Sequence, residues 1–290
     1  MRKQARTAFV AWGLVASVSV VTLSTLAARD ANADAPKPKG GAAAPAAPAG
    51  TVSKTAAADL RSGDPAKVQA ALDDVRIAGK AGASVAPVIA EVLAKGLTAP
   101  LTIAAIDTLS DLEVESTSAV IGTYLEHRNV KIRQAAVKAL THTKGAAAVR
   151  GLRRALSDQD PMVRGVAASG LGSLKAKEAL PDLLIALDHR VNEAASSIGA
   201  LCAPNECDQL AGKLGRLPFD VMAAGLEQVL FRNTAEINDD VKIKMIGKLR
   251  ELGTPEANKF LRDVSKKLTT ASPRVKQSLE QAIAATGGGS

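Results

Sequence analysis

The chain has 290 residues, of which 47% are hydrophobic and 23% charged, with a formal net charge of +8. That balance belongs to a folded protein and excludes wholesale disorder. Only 2% of the residues are aromatic, which excludes a core anchored on large rings and favours thin helical layers packed through Ala, Leu, Val and Ile. With 2 cysteines the chain supports at most one intramolecular pairing.

Arg2, Lys3 and Arg6 form a basic start, residues 7–28 are uncharged and mostly apolar, and Ala31-Asn32-Ala33 follows Arg29 and Asp30. This order predicts a signal peptide over 1–33, cleaved after Ala33. An uncleaved inner-membrane anchor is the alternative, since about 20 apolar residues span a bilayer. Both readings export everything after residue 34, because the basic end stays inside. They place the protein in the periplasm or outside the cell. Without residues 1–33 the chain keeps 33 basic and 28 acidic residues, a net of +5, too modest to argue for nucleic acid.

Residues 34–52, rich in Pro, Ala and Gly, show no apolar period and are expected to form a disordered linker. Residues 287–290 read as a flexible tail. Between them lies a repeat. Residues 127–156 and 158–187 align without a gap at an offset of 31, placing Ile132 on Val163, Ala136 on Ala167, Leu140 on Leu171 and Leu152 on Leu183. The pattern extends back to Asp64 and forward beyond Leu261. Val163, Ala167, Gly170, Leu171 and Leu174 make one helical face of each unit, and Leu180, Leu183, Leu184 and Leu187 a second. Asp64, Thr98, Asn129, Asp160, Asn238 and Ser272 stand before successive first helices as N-caps. Pro65, Pro161 and Pro273 follow at the first helical position, and Pro87 and Pro181 open second helices. Helix pairs of this kind bury their apolar faces only by stacking. The fold class is therefore all-α: an α-solenoid over 53–286, a right-handed superhelix of about six or seven units. Residues 216–240 break the pattern, with one long helix from Phe219 to Phe231 and no full partner before Asn238.

DPMVR at 160–164, AASGLG at 167–172 and ALPDLLIAL at 179–187 resemble HEAT repeats of the short, PBS-lyase type, and the resemblance covers about residues 60–285. It implies a scaffold for protein–protein contact, with second helices on the concave surface. A few members of that family handle bilins or recognise damaged DNA, but no catalytic residue of theirs is matched here.

His127 and His189 sit at equivalent places two units apart, roughly 20 Å by helix-layer spacing, too far to share a metal. Together with His142 they read as loop residues. Cys202 and Cys207 lie where a first helix turns into a second. Lacking further thiols for a metal site, they are expected to form a disulfide in an exported chain. Arg133, Arg164, Lys242 and Lys276 recur at one repeat position, which suggests pairing with a cap acid of the adjacent unit. Net charge is −4 over 53–126 and +7 over 127–190. Within the basic stretch Arg150, Arg153 and Arg154 share one helix face away from Val149, Leu152, Ala155 and Leu156. Beside Leu184 and Ile185 of the next unit they would form a groove for an acidic or extended peptide, or else a solvated charged face. The segment holding Phe219, Met222, Leu226 and Phe231 is a second place for a specialised contact.

These features point to a non-enzymatic binding scaffold with no cofactor, no metal, an unknown protein or peptide partner and no membrane span once the signal is cleaved. The alternative is a lyase-like protein handling a chromophore or small ligand. Nucleic acid is disfavoured because only Tyr124, Phe219, Phe231 and Phe260 remain to stack on bases. Mature protein is expected to begin Asp34-Ala35-Pro36. N-terminal sequencing of exported material checks this, and a retained Met1 in the membrane fraction would establish the anchor instead.

Overall fold

The apolar spacing and cap residues become fifteen α-helices, with no strand, among residues 51–286, which a computed structural model describes. They are α1 Ala56–Arg61, α2 Pro65–Ala78, α3 Ala86–Lys95, α4 Ala99–Leu112, α5 Ser118–Thr123, α6 Val130–Thr143, α7 Gly145–Ala155 and α8 Pro161–Ser173. There follow α9 Leu180–Asp188, α10 Glu193–Leu201, α11 Pro204–Ala211, α12 Phe219–Phe231, α13 Asp239–Leu252, α14 Pro255–Lys267 and α15 Pro273–Thr286. The expected signal peptide and tail lie outside the described residues. So does the linker apart from Thr51 and Val52, and Val52 packs against the core.

Helix starts follow the cap chemistry. The side chains of Asp64, Asn129, Asp160 and Asn238 accept the backbone N–H of Ala66, Lys131, Val163 and Val241, and Ser272 accepts that of Val275. Each satisfies a donor that the first helical turn leaves open. Thr98 departs from expectation: its side chain makes no cap hydrogen bond, and only its carbonyl joins α4, accepting from Thr102. Thr254 supplies a cap that the repeat alignment did not single out, to α14.

The fold is an α-solenoid of stacked helix pairs. First helices α2, α4, α6, α8, α10 and α12 stack in one row, and each second helix packs on the first helix of the following unit. Val163, Ala167, Leu171, Leu183 and Leu187, the positions that define the period, are fully buried. The first row is closely stacked, whereas α7 and α9 of the second row scarcely meet, nor do α9 and α11. Glycine explains the close approach of α8, α10 and α12 to their row neighbours. A Cβ on Gly170 would come within 2.5 Å of Thr141 on α6, and one on Gly172 within 2.5 Å of Ser197 on α10, so these two of the glycines of α8 serve its two neighbours. Between α10 and α12 the backbones themselves touch. A Cβ on Gly199 would lie 2.1 Å from the carbonyl oxygen of Gly225, and one on Gly225 2.6 Å from that of Ala195.

The irregular unit is as expected a single long helix, and it has a further effect. α12 stacks on α10 as a first helix should, but it has no second helix of its own. Beyond it the rows exchange: α13, a first helix by sequence, packs on α11; α14, a second helix by sequence, packs on α12; and α15 stacks on α13. The Phe219 and Phe260 rings meet edge to face at 5.9 Å, while Met222 and Leu226 are fully buried. Most of the segment that read as a possible contact site is thus core, and only Phe231 remains exposed.

Gly225→Ala is expected to destabilise the protein by about 1–3 kcal/mol, because the obstructing atom is backbone and the helices must part. Gly247→Ala, in the middle of α13 with open space around the new methyl, should stabilise by about 0.5–1 kcal/mol. Urea denaturation of both variants checks the opposed signs.

Candidate binding surface on the second helices

The surface starts from one turn. Lys144 (φ 62°) and Gly145 (φ 78°) both adopt left-handed backbone and reverse α6 into α7. Ser118, at the start of α5, donates to the Lys144 carbonyl at 3.1 Å and to the Thr143 hydroxyl at 2.9 Å, fixing α5 beside that turn. α7 buries Ala148, Leu152 and Ala155 and leaves Arg150, Arg153 and Arg154 exposed. Small residues face each other between the two helices, Ala119 and Gly122 on α5 and Ala147 and Gly151 on α7. They open a groove of about 660 Å³ whose wall includes all three arginines.

Two of these arginines are already paired. Arg153 reaches forward one unit to Asp182 on α9, Nε to Oδ2 at 2.5 Å. Arg154 reaches back to Glu126 at 3.0 Å and to the Gly122 carbonyl at 3.4 Å. Arg150 has no hydrogen bond or ion pair among the described residues. The expected cluster of three available guanidiniums is therefore one free cation and two stitches between units. The sequence held a signal for this: the paired charges stand 29 and 28 residues apart, close to the repeat period, so each acid meets its arginine across one unit boundary.

Because α7 and α9 scarcely meet, a second groove of about 470 Å³ opens between them, sharing Arg153 and Asp182 with the first. Leu156, Ala186 and Ile185 supply its apolar wall, and Ile185 is 58% exposed. Leu184 lines neither groove. It packs against the core beside the buried Leu183 and Leu187, so of the two aliphatics expected at the site only Ile185 reaches it. His189 lines the second groove. His127 serves its own turn, accepting the Asn129 N–H at 3.0 Å and stacking near Tyr124.

The recurring basic position borders the second groove and works differently from expectation. Arg133 does pair into the next unit, bidentately, at 2.9 and 3.0 Å, but with Asp158, two residues before the cap Asp160. The Asp158 hydrogen bond raises the Arg133 pKa above its ordinary value. Cap acid Asp160 is instead held by the Gln134 amide, and that hydrogen bond lowers its pKa. Arg164 donates to the carbonyls of Asp158 and Gln159, Arg133 also to that of His127, and the nearly buried Lys242 to that of Arg232. Arg133, Arg164 and Lys242 share the role of satisfying carbonyls left open where the preceding helix ends, and Lys276 makes no such bond among the described residues. Arg232, at the end of α12, does the same for Cys202 at 2.6 Å. Cys202 closes α10, Cys207 lies in α11, and their sulfurs are joined at 2.03 Å in full burial. The α10–α11 turn is thus stapled as expected.

Residues 118–202, which contain both grooves, match the family model for HEAT repeats. No curated protein matches the chain. Among solved structures, an engineered protein shares 15% identity over 81% of this chain and 68% of its own, with a TM-score of 0.43. The complex of CpcE and CpcF of phycocyanin lyase from Nostoc sp. PCC7120 shares 17% over 89% and 100%, TM-score 0.39. A designed armadillo repeat protein in complex with the peptide (KR)4 shares 15% over 80% and 98%, TM-score 0.39. At these distances no function is carried across.

Asp158→Ala is expected to cost about 2 kcal/mol, since it strands a largely buried guanidinium and removes a bidentate pair. Glu126→Ala, which breaks a pair between side chains 59% and 77% exposed, should change stability by less than about 0.5 kcal/mol. Chemical denaturation of the two variants side by side tests the difference.

Proposed function

We propose, given that this is a HEAT-repeat protein, that it is an exported, non-enzymatic scaffold that docks a partner protein in the periplasm or cell envelope. Its repeat fold fits a protein-interaction role. The observation that carries the finer reading is the pair of adjoining grooves across α5, α7 and α9, open to solvent and shaped for a chain rather than for a reacting atom. Ser118, the hydroxyl in the first groove, is tied down by Thr143 and Lys144 and is not presented as a nucleophile. Export rests on the N-terminal segment alone.

One observation favours the alternative, a protein that handles a small ligand. Leu60, Val68, Val92, Leu97 and Leu101 line a separate cavity of about 570 Å³, with Arg61 and Lys95 also in its wall. That size suits a small molecule. Arg61 and Lys95 are both engaged by Glu91, whose pKa their hydrogen bonds, Arg61 first, lower to about 2. A small molecule retained through purification and visible by native mass spectrometry would favour this reading over the scaffold.

The scaffold is tested by capture from an envelope extract with the chain from Asp34 onward as bait. A specific partner is expected, released by salt as exposed charges are screened. Replacing Arg150, Arg153 and Arg154 together with Ala should weaken that partner's binding at least tenfold, about 1.4 kcal/mol, with the helical content unchanged. A bait that captures nothing specific sinks the scaffold reading.

A further inference from the structure

We infer that the two grooves are consecutive subsites for one extended segment of the partner, taking an acidic residue at Arg150 and an aliphatic residue at Ile185, three positions apart in the segment. The inference rests on the scaffold reading and names what the scaffold recognises. The wall of the first groove carries three guanidiniums, two of them held by Asp182 and Glu126. One positive charge, on Arg150, is left without a counterion among the described residues. An entering carboxylate meets it without displacing an existing pair and can accept two parallel hydrogen bonds from it. The second groove has the opposite character. Ile185 stands 58% exposed beside the nearly buried Leu156 and Ala186, so an aliphatic side chain laid there removes apolar surface from water on both partners.

The barrier between the grooves is the Arg153–Asp182 pair. Arg153 engages Asp182 through Nε, which leaves its terminal nitrogens to donate to a main-chain carbonyl passing over the bridge. Spacing then follows from the stack. Closely packed helices lie about 8–10 Å apart. The step between the grooves spans half of the α5–α7 spacing and half of the wider α7–α9 gap, on the order of 10 Å, which an extended chain advancing about 3.3 Å per residue covers in three residues. A compact anion would fill only the first groove and a purely apolar segment only the second. A segment with both features, correctly spaced, fills the two.

The probe is a fluorescent ten-residue peptide, GSAEGSLAGS, whose Glu and Leu are three apart, titrated by anisotropy against the mature chain. It is expected to bind. Arg150→Glu and Ile185→Ser should each weaken it about tenfold or more. Lys177→Glu, the same charge reversal at an exposed residue lining neither groove, should leave affinity within about twofold. A peptide with five residues from Glu to Leu should bind at least fivefold more weakly. No binding by the wild-type chain, equal losses in Arg150→Glu and Lys177→Glu, or indifference to spacing would each overturn the assignment. If an envelope partner is captured equally by wild type and by the Arg150→Glu/Ile185→Ser double variant, the subsites are wrong and the scaffold reading stands. Peptide binding with the expected spacing but no captured partner upholds the subsites and counts against the scaffold.

Discussion

Close approach of helices from α6 to α12 along the first row, backbone to backbone between α10 and α12, is the constraint from which the rest of this molecule follows. Where Gly199 faces Gly225 and Gly172 faces Ser197 there is no room for a larger side chain, so the first row packs at a spacing that the second helices do not match. The second helices carry leucines and arginines instead, and α7 and α9 are left barely touching. The open grooves are therefore the other face of a tightly packed row. Few aromatics are needed in such a core, because the layers are too thin to hold rings. The edge-to-face pair of Phe219 and Phe260 sits where the regular stack has already broken.

A loosely packed row needs another means of holding its spacing, and here the means is charge. Arg153 with Asp182, Arg154 with Glu126 and Arg133 with Asp158 each bridge consecutive units. Their worth differs with exposure. The Arg133–Asp158 pair is largely out of water, at 16% and 8% side-chain exposure, and fixes the edge of the second groove. The Arg154–Glu126 pair is open to solvent and screened. It contributes less to stability than to shape, because it removes one guanidinium from the positive field of the groove and leaves Arg150 to define it.

Much of the fold was legible in the sequence because repeats report on themselves. The 31-residue offset, the cap residues and the prolines each mark the same boundaries by independent chemistry, and Asp64, Asn129, Asp160 and Asn238 cap as expected. The site was less legible. Periodicity along one helix shows that Arg150, Arg153 and Arg154 share a face, but not which acid stands opposite, since that depends on how far one unit is rotated against the next. Leu184 was misplaced for a related reason: an aliphatic next to the core face is half-buried or exposed according to the width of the gap beside it. The row exchange after α12 left its only trace in the missing second helix between Phe231 and Asn238, because α13 and α14 keep the sequence pattern of first and second helices while occupying each other's rows.

That exchange has a consequence for how such a chain tolerates change in length. Arrays of helix pairs conserve parity: gaining or losing a whole unit slides the surface along the stack without turning it over. α12 is the unpaired helix between the end helices α1 and α15, so it alters parity inside the stack. Duplication of a unit between α2 and α11 would lengthen the grooved face and leave its orientation untouched. Loss of α12 would present the opposite side of α13, α14 and α15 to whatever lies along the grooves. The two parts of the array are thereby free to drift in repeat number while remaining bound, through one odd helix, to a fixed choice of which side each turns outward.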